Sequence, residues 1–196
     1  MIRVIMKSKF LVVAGLVLAG VVIVLLFMTV AGNDHSEHGK EKGYSSTDVE
    51  FAQGMIPHHE QAIEMAELVD SRSNNPKIKS LAADIIAAQD PEIKTLQSFL
   101  KSNNESSSDK HAMHGSDSMD ADMGMATEKQ MSDMESAQGN AFDEMFLEHM
   151  IRHHEGAVEM AQKELKDGEN KSLRSLAKSI ISAQEKEIRL MKDLQK

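Results

Sequence analysis

The chain repeats itself. The sixteen residues Phe51-Ala-Gln-Gly-Met-Ile-Pro-His-His-Glu-Gln-Ala-Ile-Glu-Met-Ala return as Phe146-Leu-Glu-His-Met-Ile-Arg-His-His-Glu-Gly-Ala-Val-Glu-Met-Ala, at a constant offset of 95. The register continues without a gap, so that Ile78, Leu81, Ile85, Gln89, Glu92 and Leu96 match Leu173, Leu176, Ile180, Gln184, Glu187 and Met191. A gapless match of this length makes each half one duplicated unit, and whatever one half folds into, the other must fold into as well.

The period inside each unit is helical, and nothing reads as a strand. A first helix is expected over about 48–70, opened by Thr47-Asp-Val-Glu50, whose spacing lets two side chains satisfy two backbone donors. Pro57 should kink it by removing one backbone hydrogen bond. Asn75-Pro76 is a cap followed by proline at the first helical position, so a second helix should run from there to about 100. A third is expected over about 131–166, ending at Asp167-Gly168, and a fourth over 170–195. Two helical hairpins with short turns predict an all-α four-helix bundle.

Outside the repeat, residues 10–31 carry no charge, a run of 22 that at about 1.5 Å per residue can cross a bilayer. An N-terminal transmembrane helix within 1–32 is the first reading, with the single-pass chain displaying its C-terminal domain outside the cytoplasm. A cleaved signal, leaving a secreted or periplasmic protein, is the alternative. Arg3, Lys7 and Lys9 precede the apolar run and stay on the cytoplasmic side. Residues 33–46 read as a polar tether, 47–100 as the first hairpin and 128–196 as the second. Residues 101–127, rich in Ser, Asp, Asn and Gly, read as a disordered connector too polar to bury a core.

The exported part carries 31 acidic against 19 basic residues, a formal charge of −12, which makes nucleic acid a poor partner. There is no cysteine, so any soft ligand must be methionine, of which there are 15 beside nine histidines. On a helical wheel Phe51, His58, His59, Ala62, Met65 and Ala66 all fall within about 80° of Met55, while Glu60 and Glu64 point away. Alanines at 62 and 66 leave free volume beside the imidazoles. The same wheel places Met150, His153, His154, Ala157, Met160 and Ala161 together, with His149 at the edge occupied by Met160.

Thioether sulfur with imidazole nitrogen favours Cu(I), and by analogy Ag(I), over cations that prefer oxygen. The candidate metal ligands are Met55, His58, His59, Met65, His149, Met150, His153, His154 and Met160. A methionine at helical spacing is usually core filler, and a lone core histidine is more often hydrogen-bonded than metal-bound. A His-His pair flanked by methionine at −3 and +7, recurring in register, favours metal. Gln89, Glu92, Gln184 and Glu187 lie on the apolar stripes of the second and fourth helices and need partners. They can receive the outward N–H of the histidines, or ligate directly. The alternative is that they bond backbone loosened near Pro91. The connector adds His111, Met113, His114, Met119, Met123 and Met125, which read either as a weak capture tract or as drift in a low-complexity segment, and His35 and His38 in the tether carry less weight.

The motif Met-Ile-x-His-His-Glu-x-Ala-x-Glu-Met-Ala, at 55–66 and 150–161, resembles the signature of the exported family known as domain of unknown function 305. That resemblance covers about 44–196 and implies a ferritin-like four-helix fold that binds copper or silver outside the cytoplasm. It implies Met55, His58, His59, Met65, Met150, His153, His154 and Met160 as the matching positions. The leading expectation is thus a non-enzymatic, membrane-tethered protein that sequesters or relays copper, exchanging it with a donor or acceptor protein. One rival is a di-iron or di-manganese protein using Glu92 and Glu187 with the four motif histidines, although the usual Glu-x-x-His spacing is absent. The other is a structural or sensory helical module without metal. No Gly-rich phosphate loop, Gly-x-Ser-x-Gly turn or His-Glu-x-x-His occurs.

Overall fold

The computed structural model describes residues 43–107 and 123–196. The expected membrane helix in 1–32, most of the tether with His35 and His38, and the connector residues His111, Met113, His114 and Met119 lie outside the described residues. Five helices and no strand occur among the described residues: α1 (Ser46–Arg72), α2 (Pro76–Ser102), α3 (Glu128–Ser136), α4 (Gly139–Asp167) and α5 (Lys171–Leu194). Among these described residues no helix is long and apolar enough to cross a membrane. The four long helices form the bundle, with α1 against α2 and α4, and α4 against α5.

Local chemistry sets most helix starts where the side chains imply. Asn75 accepts from the Lys77 N–H with Pro76 in the first turn, and Asn170 accepts from the N–H groups of Ser172 and Leu173. At α1 the expected Thr47/Glu50 box is replaced by one two residues earlier, in which the Ser45 hydroxyl accepts from Asp48 N–H and Asp48 accepts from Ser45 N–H. Asp48 is fully buried and also accepts the N–H groups of Glu169 and Asn170 at the α4–α5 turn, so tertiary contact selects this frame. Both Pro57 and Pro91 sit inside helices that continue on either side of them.

Two stretches depart from expectation. The single helix expected over 131–166 is two helices, because the Ala137 N–H closes α3 and Gly139 restarts the chain at φ +59°, a left-handed conformation natural to glycine. The ends of the polar segments are also built into the domain. Tyr44 donates to Glu105 at 2.9 Å and packs edge-on against Phe99, while Met125 and Ala126 are buried.

The core falls into two apolar clusters. One gathers Met65, Val69, Leu81, Ile85, Phe142, Phe146 and Met150. The other gathers Phe51, Met55, Leu96, Leu100, Ala157, Leu173 and Ile180, with Met160 at its edge. The early part of α1 therefore packs on the late part of α4, and the converse holds, so the two helices are antiparallel. Lys163 to Glu50 at 2.9 Å ties the same ends on the surface. Burying Phe142 and Phe146 completely contributes roughly 1.5–3 kcal/mol each. The polar layer between the clusters, where apolar side chains would have been worth as much, therefore needs a reason.

Candidate metal centre

That layer is histidine. His58, His59, His153 and His154 are essentially without exposure to solvent. His58 and His153, equivalent positions of the two repeats, face each other where α1 and α4 pass, with ring centroids 3.8 Å apart and a tilt of 39°. Helical spacing explains why adjacent histidines point to different neighbours, since successive side chains differ by about 100°. His58 and His153 meet across the α1/α4 interface, while His59 and His154 turn toward α2 and α5.

There each finds a carboxylate. His59 Nε2–H donates to Glu92 Oε2 and His154 Nε2–H donates to Glu187 Oε2, both at 2.8 Å. A carboxylate can only accept, so each bond places a proton on Nε2 and makes Nδ1 the lone-pair nitrogen of the neutral ring. Similarly, His58 Nε2–H donates to the Met123 carbonyl at 3.0 Å. The Nδ1 atoms of His58, His59 and His154, and both ring nitrogens of His153, are buried with no hydrogen-bond partner among the described residues. Burial, with His59 and His154 beside it and the Met123 carbonyl opposing, pushes His58 down to about 3. Burial and the neighbouring His58 hold His153 well below the ordinary imidazole range. These two imidazoles are therefore neutral at pH 7, the form in which a ring nitrogen can bind a metal.

The methionines divide between the two sides of this layer. Met65 and Met150 belong to one apolar cluster, Met55 and Met160 to the other. Each side thus receives one thioether from the −3 position and one from the +7 position, as an antiparallel pairing of equal helices requires. Met55, Met65 and Met150 are fully buried, and Met160 is partly so. His149 is half-buried, and the charged groups around it are Glu148, Arg152 and Asp133 of α3, not the four central histidines.

Glu92 and Glu187 take the histidine N–H bonds, whereas, among the described residues, Gln89 is buried with neither amide atom partnered and Gln184 with its oxygen unpartnered. Among the described residues no three His, Asp or Glu side chains are grouped so that they alone could hold one ion. The layer holds imidazole nitrogen and the clusters on either side of it hold thioether sulfur, donor types that suit a soft cation.

Two features escape a reading of the motif alone. Asp48 pairs with Glu164 on α4, fully buried at the far end from Asp143. As a carboxylate Glu164 finds no donor among the described residues, and burial together with its hydrogen bond to Asp48 pushes it up to about 8. Burial alone would raise Asp48, but hydrogen bonds from Ser45, Glu169 and Asn170 outweigh it and hold the group below its usual range. The other feature is the run 123–126, which crosses α1 and α4 over the histidines. Its backbone hydrogen bonds leave no trace in side-chain pattern. One signal was available: position 156 is Gly where its repeat mate is Gln61.

Residues 48–195 match the family model described as domain of unknown function (DUF305). The chain belongs to this family. Among solved structures it is similar to a DUF305 fragment from Deinococcus radiodurans, with a TM-score of 0.70 and 29% identity over 76% of this chain and 95% of that one. It is also similar to CopM in its Cu(II)-bound form, with a TM-score of 0.66 and 32% identity over 75% of this chain and 94% of CopM. CopM has been solved in Cu(I)-bound and Ag-bound forms as well. A curated relative, an uncharacterized protein of Acanthamoeba polyphaga mimivirus, is 45% identical over 53 residues, 27% of this chain, which spans only 35% of that relative's length.

Proposed function

We propose that this protein is a non-enzymatic carrier of Cu(I), able to take Ag(I) in its place, that sequesters the ion or passes it between a donor and an acceptor protein. The observation that carries this reading is the set of five buried imidazole nitrogens without partners among the described residues. An unsatisfied buried polar atom costs about 1–3 kcal/mol. Five of them would consume a large part of the roughly 5–15 kcal/mol that holds a domain together. A purely structural module would gain by replacing the layer with apolar side chains, whereas a cargo ion turns the lone pairs among those nitrogens, one to each ring, into bonds.

The nitrogens to hold the cargo are those of His58, His59, His153 and His154, with the thioethers of Met55, Met65, Met150 and Met160 completing the set. Gln89 and Gln184 remain as polar reserve beside Glu92 and Glu187. CopM, similar over most of its length, supports copper and silver as the cargo. The apolar run 10–31 supports a membrane tether with the bundle outside the cytoplasm, where its net acidic charge raises local cation concentration.

The test is an anaerobic Cu(I) titration of the exported domain against a chromophoric chelator, with elemental analysis, for wild type and for His58→Ala/His153→Ala. Stoichiometric copper lost in the double variant is expected. Equal competition by both proteins, or iron in place of copper, would sink the reading.

A further inference from the structure

Residues Met123, Gly124, Met125 and Ala126 form a strap across the outer face of α1 and α4. It is clamped at one end by the Gln61 side chain, which donates to the Ala126 carbonyl and accepts the Ala126 N–H, both at 2.8 Å. Arg152 donates to the Met125 carbonyl at 3.0 Å and to Gln130 at 3.1 Å, holding the strap to the start of α3. At the other end the Met123 carbonyl lies so close to Gly156 that a Cβ there would sit 1.8 Å from its oxygen. Gln61 and Gly156 are the same position of the repeat. The divergence has a consequence: one copy grips the strap and the other makes room for it.

That placement delivers the Met123 carbonyl to His58 Nε2 at 3.0 Å. We infer that the strap is a positioning element for the metal centre: Gln61 and Gly156 seat the Met123 carbonyl so that it fixes the tautomer and orientation of His58, presenting Nδ1 as the donor. It thereby does for His58 what Glu92 does for His59 and Glu187 for His154. His153 has no such partner among the described residues. The two face-to-face imidazoles are thus unequal by construction, His58 pre-set and His153 free to choose its tautomer when the ion arrives. A hydrogen bond to the second ring nitrogen of a ligand is a general means of orienting it and raising its basicity, worth tenfold to a hundredfold in affinity, roughly.

This inference rests on the reading of the layer as a Cu(I) site, but its first test needs no metal. Nitrogen-15 NMR of the metal-free exported domain assigns the tautomer of each central histidine. The expected result is His58 held as the Nε2–H form in wild type. In Gly156→Ala, which displaces the Met123 carbonyl yet places the better helix former in α4, His58 should show mixed tautomers like His153. Gln61→Ala, which releases the clamp without touching α4, should move it the same way. Both variants should then weaken Cu(I) by about tenfold with unchanged stoichiometry. Retention of the Nε2–H form in both variants, or an Nδ1–H form of His58 in wild type, overturns the inference. A wild-type domain that binds no copper overturns the functional reading instead, while the tautomers still decide what the strap does.

Discussion

The two hairpins are copies of one sequence, yet the two ends of the bundle are not alike. Where α1 begins, Asp48 takes the N–H groups of Glu169 and Asn170 at the α4–α5 turn. Its repeat mate Asp143 stands near Asn75 at the other turn with one carboxylate oxygen unpartnered. The difference traces to one side chain. Ser73 supplies a hydroxyl that accepts the Asn75 N–H at 3.0 Å, whereas its counterpart Gly168 has none, leaving the Asn170 N–H for Asp48. Gly168 also makes room for the Glu164 carboxyl, where the other repeat has Val69.

In the two histidine–glutamate pairs the opposite holds. The bonds from His59 to Glu92 and from His154 to Glu187 have the same length and join the same ring nitrogen to the same carboxylate oxygen. Duplication has thus kept the two histidine–glutamate pairs, and the copies have diverged at the turns, where Ser73 corresponds to Gly168, and where the strap meets one repeat only.

Substitutions can break that comparison, starting with the largest effect. Replacing both facing histidines, as described above, should abolish detectable Cu(I) retention. Next, Glu92→Ala and Glu187→Ala should each weaken Cu(I) by about tenfold to a hundredfold, because each removes the acceptor that orients one imidazole. The two losses should be equal within a factor of about three, as the equal bonds imply. A competition assay in which one variant behaves as wild type would show that only half the layer holds the ion.

The asymmetric end makes a prediction in pH. Glu164 is raised from 4.5 to about 8. The folded state therefore holds a proton that the unfolded state releases, and the stabilisation is complete below pH 4.5 and lost as pH rises through about 8. His58, lowered from 6.5 to about 3, acts with the opposite sign in the metal-free protein, stabilising above pH 6.5 and less so as pH falls toward 3. Urea midpoints of wild type and Glu164→Gln across pH 6–9 separate the two. The variant should flatten the alkaline decline, a difference on the order of 1–2 kcal/mol after relaxation at the turn. Parallel profiles would mean that Glu164 is ionised throughout.

The smallest effect sharpens the same comparison. Ser73→Ala removes the hydroxyl that competes for the Asn75 N–H, and should cost only about 0.5–1.5 kcal/mol. Asp143 can then take that N–H as Asp48 takes its counterpart. Introducing Asp143→Ala into this background should therefore cost more than in wild type, read as a coupling energy from four denaturation curves.

Much of this is legible in the chain. Asn75-Pro76 and Asn170 announce helix starts because the cap is made by residues two or three positions apart. The histidine and methionine positions share a face through the helical period alone. Glu92 and Glu187 stand out as charges on an apolar stripe, and the histidine N–H is an evident partner. The Ser45 frame, the break before Gly139 and the packing of 123–126 are not legible in this way. Ser45 wins over Thr47 because Asp48 must also serve a turn 121 residues away, and the strap is held partly by backbone atoms that every sequence possesses.

The division of the methionines follows the same rule. Periodicity puts Met55 and Met65 on the same face of α1, but they fall in different clusters because they lie on either side of the histidines along the helix axis. Sequence alone determined that two equal helices would each present imidazole and thioether on one face, since that depends only on the angle between successive residues. Tertiary structure decided which nitrogen is pinned and which is left open. That choice is made by distances of about 3 Å between atoms far apart in the chain, and a donor bonds whichever acceptor the packing brings within reach.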